Sequence, residues 1–288
     1  MRILVAGALG EVGRTLSWAL VERGHEVVPA SSRAPDAASV AISYAQAADL
    51  VCTGSIDLVV NAAGRGDRRD HPRTGLDATA ALGDAMRGTA VPAVLISTTR
   101  VLEGYGATAG ESDPPAPTTV YGQANAMNES TWLAATGDSG RVLRIANYFC
   151  APSSRAAPQA GLLPWSLVTE AVDSGRIVVR SCPGTTREFV SADDVAAAIE
   201  ILATERPMVG IVATTPGVVL RLADLVEATS QGLVDAGLPR PIATFGTLQT
   251  RPPTCEGTWL AERGWRAQLD APTISACITG WLKRGCLD

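Results

Sequence analysis

A glycine-rich segment near the start of the chain is the feature that most restricts its fold. Gly7, Gly10 and Gly13 lie between an apolar run, Ile3-Leu4-Val5, and a stretch with helical periodicity at residues 11–23. Glycines at this spacing allow a tight turn from strand to helix and a close approach of the backbone to a ligand. The N-terminus of the following helix attracts phosphate groups. The segment therefore predicts a phosphate-binding turn, with a glycine-rich turn that binds no ligand as the structural alternative.

Short apolar runs alternate with helical stretches along the first half of the chain. The predicted strands are residues 3–5, 26–28, 56–60, 91–96 and 141–146, and the later predicted helices are 121–135, 167–173, 195–204, 222–232 and 274–283. Apolar strands joined by helices are typical of a parallel sheet that is covered on both faces. We therefore predict an α/β fold, a Rossmann doubly wound parallel sheet with a smaller discontinuous C-terminal substrate lobe. The predicted lobes are residues 1–148 plus 187–215, and residues 149–186 plus 216–288.

Composition restricts the partners that can be expected. The chain has 288 residues, 46% of them hydrophobic, and a net charge of −5 without any lysine- or arginine-rich run, so we predict no nucleic acid and no membrane partner. No apolar run approaches the ~20 residues of a membrane span, and glycines interrupt the apolar start, so a cytoplasmic protein is expected. Six scattered cysteines and two histidines predict neither a metal site nor a disulfide framework. The oligomeric state stays open.

The second predicted strand is followed by Ser31-Ser32-Arg33, where a dinucleotide with a free ribose 2′-hydroxyl would require an acidic residue. Serine hydroxyls and a guanidinium suit a 2′-phosphate, so the predicted cofactor is NADPH. A solvated Arg33 near Asp36 is the alternative. The residues predicted to bind the cofactor lie in the glycine turn and after the second and third strands: Gly7, Leu9, Gly10, Glu11, Val12, Ser31, Ser32, Arg33, Ala62, Ala63 and Gly64.

Further motifs follow the later strands. They are Ile96-Ser97-Thr98-Thr99-Arg100-Val101, Val120-Tyr121-Gly122, Arg144-Ile145-Ala146-Asn147-Tyr148, and Arg187-Glu188-Phe189 leading to Asp193-Asp194-Val195-Ala196. Together with the glycine turn they resemble the extended short-chain dehydrogenase/reductase superfamily over nearly the whole chain. The resemblance implies that Tyr121 exchanges a proton with the substrate oxygen beside the nicotinamide, and that Thr98 hydrogen-bonds the same oxygen. A tyrosine that packs at a helix start and a threonine that closes a strand are the structural alternatives.

One member of the expected catalytic motif is missing. The family pattern Tyr-x-x-x-Lys stands here as Tyr121-Gly122-Gln123-Ala124-Asn125, and Lys283 is the only lysine in the chain. The family lysine holds the nicotinamide ribose and lowers the pKa of the tyrosine. The resemblance therefore implies that Asn125 is both a catalytic and a cofactor-binding residue: its amide can hydrogen-bond ribose hydroxyls but supplies no cation to stabilise a tyrosinate. Asn125 therefore favours reduction of a ketone over base-initiated oxidation of an alcohol.

Three functions are compatible with these residues. The first is an NADPH-dependent ketoreductase that acts on a bulky secondary-metabolite ketone of aromatic polyketide type, with Asn147, Trp165 and Arg187 as substrate residues and 156–165 as an apolar lid. The second is a nucleotide-4-keto-sugar reductase or epimerase whose diphosphate binds Arg187 and Arg251. The third is a catalytically silent NADPH-sensing regulator. His71 is a further candidate acid, although a solvated loop histidine is the simpler interpretation. The ketoreductase is preferred because the motif residues Thr98, Tyr121 and Asn147 are all present.

Overall fold

A computed structural model describes residues 1–32, 41–63, 76–106, 108–152, 162–205, 210–248 and 254–285. In chain order the strands are β1 (Arg2–Ala6), β2 (Glu26–Ala30), β3 (Leu58–Asn61), β4 (Ala93–Thr98), β5 (Thr108–Ala109), β6 (Gly140–Ile145), β7 (Asn147–Phe149), β8 (Arg176–Ser181), β9 (Thr186–Ser191), β10 (Ile211–Thr215), β11 (Val218–Arg221), β12 (Ile242–Leu248) and β13 (Thr254–Cys255). The helices are α1 (Glu11–Glu22), α2 (Tyr44–Cys52), α3 (Leu76–Met86), α4 (Val120–Thr136), α5 (Trp165–Ser174), α6 (Ala192–Thr204), α7 (Leu222–Asp235), α8 (Thr258–Glu262) and α9 (Ala271–Lys283).

The central sheet has six parallel strands in the order β10-β6-β4-β3-β1-β2. This order confirms the predicted doubly wound α/β fold. The chain reverses its direction of progress across the sheet between β1 and β3, and such a switch point is where open parallel sheets bind ligands. One strand of the central sheet, β10, was not among those predicted, because its three apolar residues are too few to show a periodicity that separates a strand from a buried helix segment.

Side chains along the central strands alternate between two hydrophobic clusters. Ile3 and Val5 of β1 point to a cluster with α1 and α6, whereas Leu4 and Ala6 point to a cluster with α2, α3 and α4. All four side chains are fully buried. Because residues of a strand alternate between its two faces, a strand buried on both faces reads as the continuous apolar run seen in the sequence. This double coverage holds the strand ends in fixed positions at one edge of the sheet.

A third hydrophobic cluster unites α5, α7 and α9 with β7, β8, β9, β11 and β12. Trp165 stacks on Phe149 with ring centroids 5.7 Å apart and lies tilted against Trp281 at 5.2 Å. Phe189 of β9 belongs to this cluster, while Trp265 packs with the first cluster on the central sheet. Segments outside the central sheet therefore belong to different clusters: β9 contributes Phe189 to the third cluster, and the segment after α8 contributes Trp265 to the first. The two-lobe boundaries given above remain a prediction.

Candidate active site

The glycine turn joins β1 to α1 in a conformation that requires glycine at one position. Gly7 has a φ of 77°, and a Cβ at this residue would lie 2.7 Å from the backbone of Ala63. The backbone N–H of Gly10 closes the turn by donating to the Gly7 carbonyl at 2.8 Å. Because φ values in this range strain residues that carry a side chain, only glycine fits here without cost. The turn is therefore packed directly against the segment that follows β3.

The N-terminus of α1 has the features of a phosphate site. Gly10 precedes the helix and carries no side chain that could cap it, so its first-turn N–H groups receive no side-chain acceptor from the cap residue. Glu11 in that turn pairs with Arg14 at 2.7 Å. Leu9 and Val12 on either side are partly buried. The geometry fits the diphosphate of a dinucleotide.

Two strand ends flank this turn. Ala8 donates its backbone N–H to Ala30 at 3.1 Å, which brings the end of β2 beside the glycine turn. Ser31 there is buried and Ser32 is exposed. On the other side, Ala62 and Ala63 follow β3. The predicted residues Arg33 and Gly64 lie outside the described residues, as do His71 and Arg251.

A buried amide network fixes the turn after β3. The Asn61 side chain accepts from the Ala63 backbone at 3.0 Å and donates to Thr79 at 3.1 Å. Thr79 in turn donates to the Asn128 side chain at 2.7 Å. All of these polar side chains are buried and hydrogen-bonded, as stable interiors require. Asn61 therefore fixes the backbone at Ala63, beside the glycine turn, a role that its position in the motif alone did not indicate.

The catalytic candidates meet where α4 begins. Thr98 is the last residue of β4, and Tyr121 is the second residue of α4; both are partly buried. A Cβ on Gly122 would lie 2.8 Å from the backbone carbonyl of Arg100, so the first turn of α4 abuts the segment that follows Thr98. Thr119 caps the helix by accepting from the Gly122 N–H at 3.2 Å. The structure thus brings the segments of Thr98 and Tyr121 together at the edge of the sheet.

Asn125 lies one turn further along α4 and is partly buried. Its side-chain amide donates to the backbone carbonyl of Tyr121 at 2.9 Å. The side chain is therefore folded back on its own helix, and its carbonyl oxygen can still accept a hydrogen bond from a ribose hydroxyl. Lys283 lies in the last turn of α9. The position of the family lysine is thus held by a neutral group.

A buried ion pair, which the sequence interpretation missed, positions α4 on the sheet. The carboxylate of Glu129 accepts from Arg144 at 2.8 Å and from the Ser97 hydroxyl at 2.5 Å. Glu129 and Arg144 are each less than 5% exposed. Since Ser97 precedes Thr98 on β4 and Arg144 is on β6, this network ties the tyrosine helix to two central strands. Glu129 is the one charged residue in the sequence of α4, and this isolated charge was the feature that could have indicated a buried ion pair.

The substrate candidate Asn147 begins β7 and bonds to a neighbouring strand. Its side-chain amide donates to the backbone carbonyl of Glu188 at 2.6 Å. Both Glu188 carboxyl oxygens lie 3.4 Å from the backbone nitrogen of Cys255, and the Cys255 thiol is hydrogen-bonded to Thr99. Burial raises the pKa of Glu188 to about 7. Burial, followed by the nearby charge of Glu188, raises the pKa of Cys255 to about 12.

Arg187 lines a cavity of about 270 Å³ between α5, β8 and β9. Arg180 adds a second guanidinium, Ser181 and the single carboxylate of Glu170 supply further polar groups, and Leu163 supplies an apolar one. The pKa of Arg187 is lowered, mainly because the side chain is partly buried and then because the Arg100 cation lies nearby. Two guanidinium groups that interact in this way favour an anion between or beside them. The cavity can therefore hold a molecule with an anionic part.

The structure places Trp165 in the hydrophobic interior and not in the wall of this cavity. The residue is 2% exposed, and its indole N–H has no hydrogen-bond partner in the part of the chain that the structure describes. The predicted lid residues 156–161 lie outside the described residues, whereas Leu163 lines the cavity. A contact between Trp165 and substrate therefore stays a prediction.

Among residues with assigned structure, no group of three or more histidine, cysteine or acidic side chains is arranged to hold a metal ion. In the same part of the chain, every helix is too short or too polar to cross a bilayer.

Residues 3–210 match the model of the NAD dependent epimerase/dehydratase family. A curated relative, the dTDP-6-deoxy-L-talose 4-dehydrogenase (NAD(P)(+)) of Kitasatospora kifunensis, is 28% identical over 312 residues, which cover 99% of this chain and 92% of that protein.

Solved structures show the same fold. MoeE5 in complex with UDP-glucuronic acid and NAD has a TM-score of 0.75 at 22% identity and covers 99% of this chain and 100% of its own. The UDP-glucose 4-epimerase of Bifidobacterium longum with NAD+ and UDP has a TM-score of 0.75 at 17% identity, with coverage of 99% and 98%. DesIV, a dTDP-glucose 4,6-dehydratase of Streptomyces venezuelae with NAD bound, has a TM-score of 0.74 at 19% identity, with coverage of 100% and 99%.

Proposed function

Because the chain belongs to the NAD dependent epimerase/dehydratase family and is an NAD(P)-dependent enzyme of oxidoreductase type, we propose that it reduces the keto group of a nucleotide-4-keto-sugar. Membership confirms the resemblance to the extended short-chain dehydrogenase/reductase superfamily. The substrate class differs from the polyketide ketone preferred on sequence grounds. It is the second of the functions considered there.

The observation that carries the proposal is the neutral amide at Asn125, one turn beyond Tyr121. Oxidation of a sugar alcohol requires a base, and a cation near the tyrosine is what stabilises its ionised form. Reduction requires only groups that donate hydrogen bonds to the ketone oxygen as it gains negative charge. The hydroxyl groups of Thr98 and Tyr121 suit this task in their ordinary protonated state. The direction of the reaction therefore follows from the residue that replaces lysine.

The proposed substrate consists of a keto-sugar and a nucleotide diphosphate, and the cavity beside Arg187 is an argument for the diphosphate part. A guanidinium binds phosphate oxygens in a bidentate manner, and Arg180 brings a second one to the same cavity. The printed names of the curated relative and of MoeE5 refer to a dTDP-sugar and to UDP-linked ligands. Both names describe a sugar that is linked to a pyrimidine nucleotide. They support the same class of substrate here.

We further propose that NADPH is preferred over NADH. The support is the sequence Ser31-Ser32-Arg33 after β2, which has two hydroxyl groups and a guanidinium where an acidic residue would bind a ribose 2′-hydroxyl. Ser31 and Ser32 follow the strand that borders the glycine turn. We expect Arg33→Ser to weaken NADPH binding by about tenfold or more, the value of one lost charge-assisted bond, and to leave NADH binding within twofold.

The experiment that tests the function follows NADPH oxidation with dTDP- and UDP-linked 4-keto-sugars. Arg187→Ala is compared with Arg176→Ala, a matched control because Arg176 is an exposed residue at the start of β8 that does not line the cavity. We expect turnover by wild type, a KM about tenfold or more higher for Arg187→Ala with little change in kcat, and no effect of Arg176→Ala. Equal KM values for both variants would contradict diphosphate binding at Arg187.

A second candidate is the reduction of a polycyclic aromatic ketone of polyketide type. The apolar residues Leu163, Leu167, Val179 and Leu222 of the same cavity favour it. Including such ketones in the assay separates the two, because a polyketide ketone would be reduced without inhibition by dTDP or UDP. If wild type binds NADPH tightly but reduces no ketone of either class, the reductase is ruled out in favour of a cofactor-sensing protein.

A further inference from the structure

The carboxyl group of Glu188 is poorly stabilised in its charged form. It is partly buried, and within the described ranges its one hydrogen bond comes from the backbone N–H of Cys255, whose nitrogen lies 3.4 Å from both carboxyl oxygens. Across the described residues, no arginine, lysine or histidine forms an ion pair with it, nor does any side chain donate a hydrogen bond to it. A carboxyl that is partly removed from water and has one long hydrogen bond retains its proton more readily than an exposed one.

Three contacts link Glu188, through Asn147 and Cys255, to the start of β7 and to the segment that follows Thr98. The Asn147 side chain donates to the Glu188 backbone carbonyl at 2.6 Å, which joins β9 to the start of β7. Cys255 binds the Glu188 carboxyl through its backbone and Thr99 through its thiol. Thr99 directly follows Thr98 in the chain. Cys255 therefore connects the Glu188 carboxyl to the segment that carries Thr98, the threonine proposed to bind the ketone.

We propose that Glu188 is the proton donor for ketone reduction, an inference that rests on the function proposed above. The ketone carbon receives a hydride from the reduced nicotinamide, and the ketone oxygen receives the carboxyl proton of Glu188. The C=O double bond becomes a C–H and an O–H bond, while the cofactor is oxidised by two electrons. The Glu188 carboxylate then regains a proton from solvent. Thr98 and Tyr121 orient the oxygen through their hydroxyl groups.

The acidity of this group suits the task. With a pKa raised to about 7 by burial, the Glu188 carboxyl is about half protonated at neutral pH. It gives up a proton far more readily than an ordinary phenol, whose pKa is about 10. Because no lysine follows Tyr121 at the family position, a more acidic donor elsewhere in the site relieves the tyrosine of proton transfer.

Charged and titratable groups lie on the strand of Glu188 and on the elements packed beside it. They are Arg187 (β9), Tyr148 (β7), Arg221 (β11), Asp193, Asp194 and Glu200 (α6), and Cys255 (β13). Burial raises the pKa of Tyr148 well above its usual range and that of Cys255 to about 12, so both are neutral between pH 5 and pH 9. Arginines remain cationic over the same interval. Asp194 is bound to the backbone N–H groups of Ser191 and Gln268.

The test measures kcat/KM for reduction between pH 5 and pH 9, with whichever ketone wild type reduces. In wild type we expect kcat/KM to fall with rising pH above about 7, and alcohol oxidation to rise through the same pH, because donor and base are one group. Glu188→Gln keeps an acceptor for the Cys255 N–H but cannot give a proton. We expect it to lose about 100-fold in kcat/KM at pH 6 and to lose the pH dependence, with NADPH affinity within twofold.

Three further variants make the outcome specific. Glu256→Gln is the matched control, since it makes the same change on an exposed residue beside Cys255, and it should retain the wild-type profile. Tyr121→Phe should be slower but keep the pH dependence, and Glu188→Asp should keep it at a displaced pH. A Glu188→Gln enzyme with more than half of the wild-type rate, or with the profile unchanged, overturns the proposal. So does a Glu188→Asp profile that is not displaced, which decides the case if the glutamine variant does not fold. Wild type that reduces no ketone at all refutes the proposed function itself.

Discussion

The side-chain amide of Asn125 donates a hydrogen bond to the backbone carbonyl of Tyr121, 2.9 Å away on the preceding turn of α4. This contact places a neutral, short side chain where the family pattern has a long cationic one. Everything that the lysine does for a tyrosine through its charge is absent from this position. The side-chain carbonyl oxygen of Asn125 is still able to accept a hydrogen bond.

Restoring the cation should change the preferred direction of the reaction. We expect Asn125→Lys to increase kcat/KM for alcohol oxidation at pH 8 by about tenfold, because each pKa unit of stabilisation of the phenolate corresponds to a factor of ten. Reduction should change less than threefold. The measurement is initial rates in both directions with NADP+ and NADPH. Asn125→Met, of similar length but uncharged, is the control, and an equal gain in that variant would contradict an electrostatic cause.

Removal of one partner of the buried pair Glu129–Arg144 should strongly destabilise the fold. Both side chains are almost fully buried, so Glu129→Gln leaves the Arg144 cation without its carboxylate. We expect a loss of about 3–5 kcal/mol in the free energy of unfolding, measured by urea denaturation. The double variant Glu129→Gln/Arg144→Met should recover part of this loss, because no unpaired charge remains. A loss below about 1 kcal/mol in the single variant would show that Arg144 finds another partner.

Substitution of Gly7 should damage the cofactor site in a way that backbone strain alone does not explain. Gly7 and Gly54 both have positive φ values, 77° and 67°, but a Cβ would lie 2.7 Å from Ala63 at Gly7 and would meet nothing within 4 Å at Gly54. We expect Gly54→Ala to cost about 1 kcal/mol of stability and no NADPH affinity. Gly7→Ala should cost more and weaken NADPH binding by at least about tenfold. Equal NADPH affinities, measured by calorimetry, would argue against the turn as part of the cofactor site.

The raised pKa of Glu188 should appear in the pH dependence of stability, independently of any activity. Its pKa moves from 4.5 to about 7 on folding because the group is partly buried. Between these values the folded state keeps a proton that the unfolded state releases, so the stabilising contribution is full below pH 4.5 and is lost as pH rises through 7. Glu188→Gln removes this dependence. We expect its Tm, relative to wild type, to be higher at pH 8 than at pH 5, by thermal denaturation.

The control for this prediction is again Glu256→Gln, an exposed carboxyl that loses the same charge. Its Tm difference from wild type should be the same at both pH values within experimental error. If Glu188→Gln behaves like this control, the carboxyl of Glu188 is ionised normally in the folded protein, and its assignment as the proton donor loses its support.

Several elements of the fold were predictable because their signals are local. The helix predicted at residues 121–135 appears as Val120–Thr136, and the strand predicted at 91–96 appears as Ala93–Thr98. In contrast, β10 was not predicted, since its five residues acquire a strand role only by pairing with β6. Short apolar segments take their structure from long-range partners.

In the candidate site, features that depend on residues close together in the sequence were predictable, whereas contacts between residues far apart in the sequence were not. The G-x-x-G-x-x-G spacing, the strand ends and the missing lysine are local patterns, so the sequence by itself determined the parallel sheet, the glycine turn between β1 and α1, and the altered tyrosine motif. Only the tertiary structure decided that Glu129 binds Arg144, that Asn147 and Cys255 both bind Glu188, and that Trp165 lies in the interior. The physical reason is that burial and hydrogen bonding set the pKa and the partner of each polar group. These quantities exist only once segments that are distant in sequence pack against one another.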